Sequence, residues 1–276
     1  MLAVPTTAMA WDDLFMRVVG ASALCSASII EFTIPQVVKL SQTAAKGSVL
    51  PPNPLYPHRV MMAARMMPAQ TAITAVQFAL VRQLHAALDA AVGPTPVNLS
   101  LAYGAASVPL IAAKYNMIIA GVYKYNDMPA AGPAHTSFAQ RAAWIWRRNV
   151  APGLLWSFLR DSGSVGGAIV LAPVLTAKLA PDDGGASAGL RFGAGLLSGS
   201  ICGLATQLFH NAALTAGRMA EAGEQPRNVE AMRRVLAEHG SRALYFNFRY
   251  RVAIIALWSG ILAVTKPFAR DPGDRW

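Results

Sequence analysis

No charged residue occurs between Phe192 and Gly217, a run longer than the roughly 20 apolar residues that cross a bilayer. A chain that must house such a segment has few soluble folds open to it. The same pattern recurs along the sequence. Val18–Leu40 carries only Glu31 and Lys39, Met66–Val81 has no charge, and Leu99–Ile119 is interrupted only by Lys114. A fourth stretch runs from about Leu154 to Lys178, and a sixth from Val252 to Thr265 between Arg251 and Lys266. The uncharged part of the sixth is too short to cross alone, so it is expected to extend back through Tyr245–Arg251. Only 14% of the 276 residues are charged, against about 25% in ordinary soluble domains. The sequence therefore predicts an all-α membrane protein with six transmembrane helices.

The links are uneven. Gly93-Pro94-Thr95-Pro96 and Pro181-Asp182-Asp183-Gly184-Gly185 are tight turns, making spans two and three, and four and five, antiparallel neighbours. Longer links follow spans one, three and five. Lys46–Pro57 holds Pro51, Pro52, Pro54 and Pro57, which cannot continue a helix. Phe138–Arg148 is an amphipathic patch with Trp144 and Trp146 among Arg141, Arg147 and Arg148, suited to the headgroup level. Arg218–His239 is a second amphipathic segment. Three helix pairs result, with approximate repeats 13–93, 94–183 and 184–276 in a single membrane domain.

The long loops collect Lys46, Arg59, Lys124, Arg141, Arg147, Arg148, Arg218, Arg227, Arg233, Arg234 and Arg242, whereas the short turns and ends are mostly acidic. By the positive-inside rule the long loops face the cytoplasm, or the matrix of a mitochondrion, with both termini on the opposite side. The net charge of +10 does not argue for nucleic acid, because the cations are thinly spread between apolar runs. Met1–Asp13 has neither a basic n-region nor an Arg-rich amphipathic pattern, so insertion is expected to rely on internal signals. Cys25 and Cys202 sit within apolar stretches without the close-set partners a metal requires. His85, His135 and His239 are scattered without a catalytic constellation, so neither enzyme chemistry nor a metal or other cofactor is expected.

The ends of the odd spans carry a repeated frame: Pro109-Leu110-Ile111-Ala112-Ala113-Lys114 in span three, Ile34-Pro35-Gln36-Val37-Val38-Lys39 in span one, and Phe209-His210-Asn211-Ala212-Ala213-Leu214 in span five. These resemble the signature of the mitochondrial carrier family, in which a proline is followed two residues later by an acid and three residues after that by a base. Val229–Val252 resembles the family's short loop helix, and Arg160-Asp161 the pair that often opens an even-numbered helix. The resemblance covers nearly the whole chain and implies six helices in three pseudo-threefold pairs.

It also implies two gating networks, and here both lack their acids. On the matrix side the positions are Gln36, Lys39, Ile111, Lys114, Asn211 and Leu214; on the intermembrane side they are Ala79, Arg82, Leu175, Lys178, Ala263 and Lys266. Aligning span two on Pro68 shifts its register by one and moves Arg82. Rings holding bases without acids cannot close as ion pairs, since like charges repel. Taken singly, these bases also read as side chains reaching the headgroups from helix ends.

The resemblance further places Arg251 at a central substrate-contact position, level with Ser162, Gly163 and Met66. Read without it, Arg251 is surface charge beside Arg249. Glu31 needs a partner such as Arg65, Arg160 or Arg251, or a proton. Gly195, Gly199 and Gly203 make a small-residue stripe for close helix contact. The expected function is a non-transporting, carrier-like accessory or structural subunit of a larger mitochondrial inner-membrane complex of respiratory type, in contact with membrane lipids. Cardiolipin or another phospholipid is expected at the basic loops. The alternatives are an active transporter of a small anionic metabolite using Arg251, and an outer-membrane relative acting in insertion or membrane dynamics.

Overall fold

The computed structural model describes residues 15–28, 59–125, 137–180, 186–221, 223–224, 228–246 and 248–268. Among them there is no strand. The helices are α1 (Phe15–Ser28), α2 (Arg59–Val92), α3 (Pro96–Tyr125), α4 (Phe138–Ile145), α5 (Leu154–Asp161), α6 (Gly167–Leu179), α7 (Ala188–Ala205), α8 (Gln207–Glu221), α9 (Asn228–His239) and α10 (Phe248–Thr265). Three helical segments are long and apolar enough to cross a membrane: Pro96–Lys114, Ala151–Leu179 and Ala188–Ala205. α1 and the Arg251–Thr265 part of α10 are apolar but shorter. The expected turn at 181–185, the link at 46–57, Glu31 and the Gln36/Lys39 pair lie outside the described residues.

Local chemistry sets the helix ends. Gly93 turns the chain at φ 87°, a conformation that disfavours any residue with a Cβ. Pro96 then opens α3, where its missing N–H costs nothing. Asn98 staples this turn by donating to Asp89 Oδ1 and the Gly93 carbonyl. Ser137 and Gln140 form a reciprocal capping box at α4, and Ser187 Oγ accepts from the Leu190 amide at α7.

Three expectations change in detail. Span five is not one helix, because it is interrupted at Thr206, whose hydroxyl donates back to the Cys202 carbonyl. Span six reaches back only to Phe248, since Tyr245 and Phe246 lie in a turn after the 3-10 segment Gly240–Leu244. Trp144 and Trp146 pack inward against a cluster of Val108, Ile111, Ala112 and Val150. Burying two indole faces on α3 gains more apolar contact than leaving both at the headgroups.

The core is aromatic at its centre. Phe78 of α2 meets Trp258 of α10 edge-on at 6.4 Å and Phe268 at 5.2 Å, and Tyr103 of α3 meets Phe268 at 6.4 Å. The Trp258 indole donates to the Cys25 carbonyl at 2.9 Å, tying α10 to α1. Trp258→Ala should remove this bond and a large packed surface, costing about 3–5 kcal/mol. The midpoint of detergent-phase unfolding should fall accordingly, with Trp258→Phe recovering most of it.

The glycine stripe of α7 packs on α10. A Cβ on Gly195 would stand 2.5 Å from the Ser259 carbonyl, and one on Gly199 would stand 2.6 Å from Ala256 Cα. The two backbones can touch only because these side chains are missing. Outside the bundle, Arg234 of α9 bridges Glu224 at 2.7 Å and Glu238 at 3.2 Å. Hydrogen bonding to Glu224, more than to Glu238, holds its guanidinium above the ordinary arginine range.

Candidate functional site

Two helix irregularities face each other in the bundle. Between α5 and α6, Ser162–Gly166 forms a wide turn in which the Gly167 amide reaches the Ser162 carbonyl five residues back. Ser100 Oγ also donates to that carbonyl at 2.7 Å, fixing α3 against the widened turn. In the neighbouring span, the Thr206 interruption separates α7 from α8. The two meet directly, since a Cβ on Gly163 would lie 2.7 Å from Thr206 Cγ2. Irregular backbone inside a membrane bundle survives where protein groups or water satisfy it.

Arg251 supplies that satisfaction. It enters from the first turns of α10 with only 5% of its surface exposed. Its guanidinium donates to the Gly203 carbonyl, to Thr206 Oγ1 at 2.7 Å and to Gln207 Oε1 at 3.2 Å. The surface-charge reading of Arg251 is therefore corrected: desolvated but bonded to three acceptors, it is an interior residue. Gln207 extends the network, donating to the Phe246 carbonyl at 2.7 Å and to Asn211 Oδ1 at 3.3 Å. Asn211 in turn donates to the Ala243 carbonyl at 2.8 Å, so it secures the 3-10 segment before α10.

Of the four residues expected at a substrate level, Arg251 and Gly163 meet Thr206, while the Ser162 side chain lies against Gly104 of α3. Met66 is buried in the apolar core with Phe78, Trp258 and Leu262. Two side chains at this level lack partners among the described residues: Ser162 Oγ, and both ring nitrogens of His210, which is 7% exposed. Arg251 and Arg160 lie within electrostatic range of His210. Arg160 holds Asp161 in a two-pronged bridge at 2.6 and 2.9 Å. His210 was not expected as a site residue; in the sequence it appears only beside the frame position Asn211 of span five.

Of the expected gating positions, Gln36 and Lys39 lie outside the described residues. Lys114 donates to Gln77 Oε1 and lies over the Trp258 ring at 5.5 Å. Ile111 is in the apolar cluster under Trp144, and Leu214 is half-buried. At the other end, Arg82 donates to the Pro267 carbonyl at 3.0 Å and Lys178 is exposed, while Lys266 follows α10 at φ 46°. Ala79 is exposed, whereas Leu175 and Ala263 are half-buried. The bases thus serve helix ends and interior amides. Among the described residues no group of three or more His, Cys, Asp and Glu could hold a metal ion. No protein family, curated protein or solved structure matches the chain.

Proposed function

We propose that the chain is a non-transporting, carrier-like helical bundle of the mitochondrial inner membrane, acting as an accessory or structural subunit of a larger membrane complex. On this reading it crosses the bilayer six times as three helix pairs, with both termini toward the intermembrane space. α2 and α10 would join the three apolar segments, and the described α1 would be the start of the first span. Polar side chains on α2 such as Gln70, Thr74 and Gln77 are fully buried, so their low hydropathy need not face lipid.

The observation behind the reading is the commitment of Arg251. A cation bonded to Gly203, Thr206 and Gln207 is part of the fold's own framework. The aromatic contacts of Phe78, Trp258, Phe268 and Tyr103 fill the space between α2, α3 and α10 in the same sense. Without acids at the expected gating positions, alternate closing of two gates has no ion pairs to drive it.

The test has two arms. Solubilised in mild detergent from its native membrane, the protein should migrate in a stable high-mass assembly with fixed stoichiometry, and liposomes containing it should exchange no carboxylate or nucleotide above protein-free controls. Saturable uptake by the parent protein, or recovery only as a monomer stabilised by a metabolite, would sink the scaffold reading. The second reading, transport of a small anion, draws on His210, whose ring nitrogens have no partner among the described residues and which lies within electrostatic range of Arg251. Uptake abolished by His210→Ala in a protein that still folds is the result that would favour it.

A further inference from the structure

The strap of residues 240–246 that joins α9 to α10 is fastened mainly by hydrogen bonds. Within it only Ala243 is buried, seated with Ala212 and Val235, while Leu244, Tyr245 and Phe246 stay exposed. His239 stacks on the Phe246 ring at 4.5 Å. Two amides of α8 supply the polar hold. Asn211 Nδ2 donates to the Ala243 carbonyl at 2.8 Å and to the Phe246 carbonyl at 3.4 Å, and Gln207 Nε2 donates to the same Phe246 carbonyl at 2.7 Å.

Gln207 can do this in one orientation only. Its Oε1 accepts from Arg251 Nη1 at 3.2 Å. A guanidinium only donates and a carbonyl only accepts, so these two neighbours fix the amide oxygen toward α10 and the amide nitrogen toward the strap. Gln207 is fully buried and Arg251 is 5% exposed, so bulk water replaces neither. Without the guanidinium, Oε1 becomes a buried acceptor that has lost its donor, and such a group costs at least what a hydrogen bond is worth. Asn211 carries the donor to which it would turn, since the two amides already meet at 3.3 Å. That donor is the one that now holds the Ala243 carbonyl.

We propose that Arg251 is a positioning residue for the strap: acting through Gln207 and Asn211, it keeps residues 240–246 closed over the first turns of α8, and withdrawing the guanidinium lets the strap lift. None of its three acceptors, Gly203, Thr206 and Gln207, belongs to the strap, so the effect is a relay rather than a contact. Linkage makes the relay reciprocal, because lifting the strap frees Gln207 and loosens Arg251 in turn. The relay goes beyond the scaffold reading and does not rest on it, since a transporter could contain the same coupling.

The test is hydrogen exchange followed by mass spectrometry on the purified full chain in detergent at neutral pH, read on peptides covering 240–246. The Tyr245 and Phe246 amides both donate to the Arg242 carbonyl, a turn that a lifted strap loses, and they should be protected in the parent. Arg251→Ala should speed their exchange by about tenfold or more, the equivalent of one buried hydrogen bond. Gln207→Glu should do the same while keeping an acceptor for Arg251, since a carboxylate has no hydrogen to give the Phe246 carbonyl. It carries the test should Arg251→Ala fail to fold. Trp258→Ala weakens the bundle away from the strap and should leave strap exchange as it is in the parent. A strap that stays slow in folded Arg251→Ala or in Gln207→Glu overturns the relay. Equal acceleration by Trp258→Ala also overturns it, because the strap would then only follow overall stability, and so does a parent strap that exchanges at the unprotected rate.

Discussion

Arg251→Ala should lower the stability of the bundle by about 3 kcal/mol, and the loss should be structural rather than confined to any ligand. Hydrogen bonds from a charged donor are each worth roughly 1.5–3 kcal/mol in water-soluble proteins, but interhelical bonds in membranes average nearer 0.6, so three of them do not sum at face value. The bonds to Gly203, Thr206 and Gln207 are buried, and with no water to take the guanidinium's place their acceptors lose solvation outright. Arg251→Lys should recover only part of the loss, since an ammonium cannot span a carbonyl and a side-chain oxygen as a planar fork does. Unfolding in a denaturing detergent titration reads all three proteins. An alanine variant as stable as the parent would mean that the guanidinium is held in reserve for a ligand, which would revive the transport reading.

Gly199→Leu should be more damaging still, and folded protein should be largely lost. Even a methyl there would stand 2.6 Å from both Ala256 Cα and the Ile255 carbonyl, and those backbone atoms cannot rotate aside. α7 and α10 would have to separate along the face where Gly195 also meets Gly260. Gly199→Ala is the graded version, with a cost of about 1–3 kcal/mol from overpacking. Gly193 provides the control on the same helix, because nothing lies within 4 Å of the Cβ it lacks. Gly193→Ala should be neutral or stabilising by up to about 1 kcal/mol through helix propensity alone. Size-exclusion yield and unfolding midpoint together separate these cases; equal behaviour at the two positions would mean that the α7–α10 contact is looser than described.

Much of this was legible in residue order because the relevant signals are local. The Gly93–Pro96 turn, the capping serines and the four-residue glycine stripe each declare a conformation within one or two helical turns. The family resemblance set Arg251 and Gly163 at one level, but the residue that both meet was not legible: Thr206 reads as an ordinary polar residue in an apolar run, and its role depends on a partner 45 residues away. The partner of Lys114 was hidden for a similar reason. A lysine near a helix end looks destined for headgroups until Gln77, on another helix, provides its acceptor. Hydropathy also understates α2, whose Gln70, Thr74 and Gln77 are buried against neighbouring helices. A burial that depends on neighbours cannot be seen in the segment's own composition.

The widened turn at Ser162–Gly166 has a consequence for counting. Bonding five residues back instead of four adds one residue to a turn of the span, and every position after it is displaced by about 100° around the axis relative to an unbroken helix. Leu175 and Lys178 therefore owe the directions they face to an insertion that leaves the number of turns unchanged. Any comparison of this span with an uninterrupted one by residue spacing alone will be in phase before Ser162 and out of phase beyond Gly166. Deleting a single residue there would shorten the span hardly at all while turning its far half to present a different face to its neighbours.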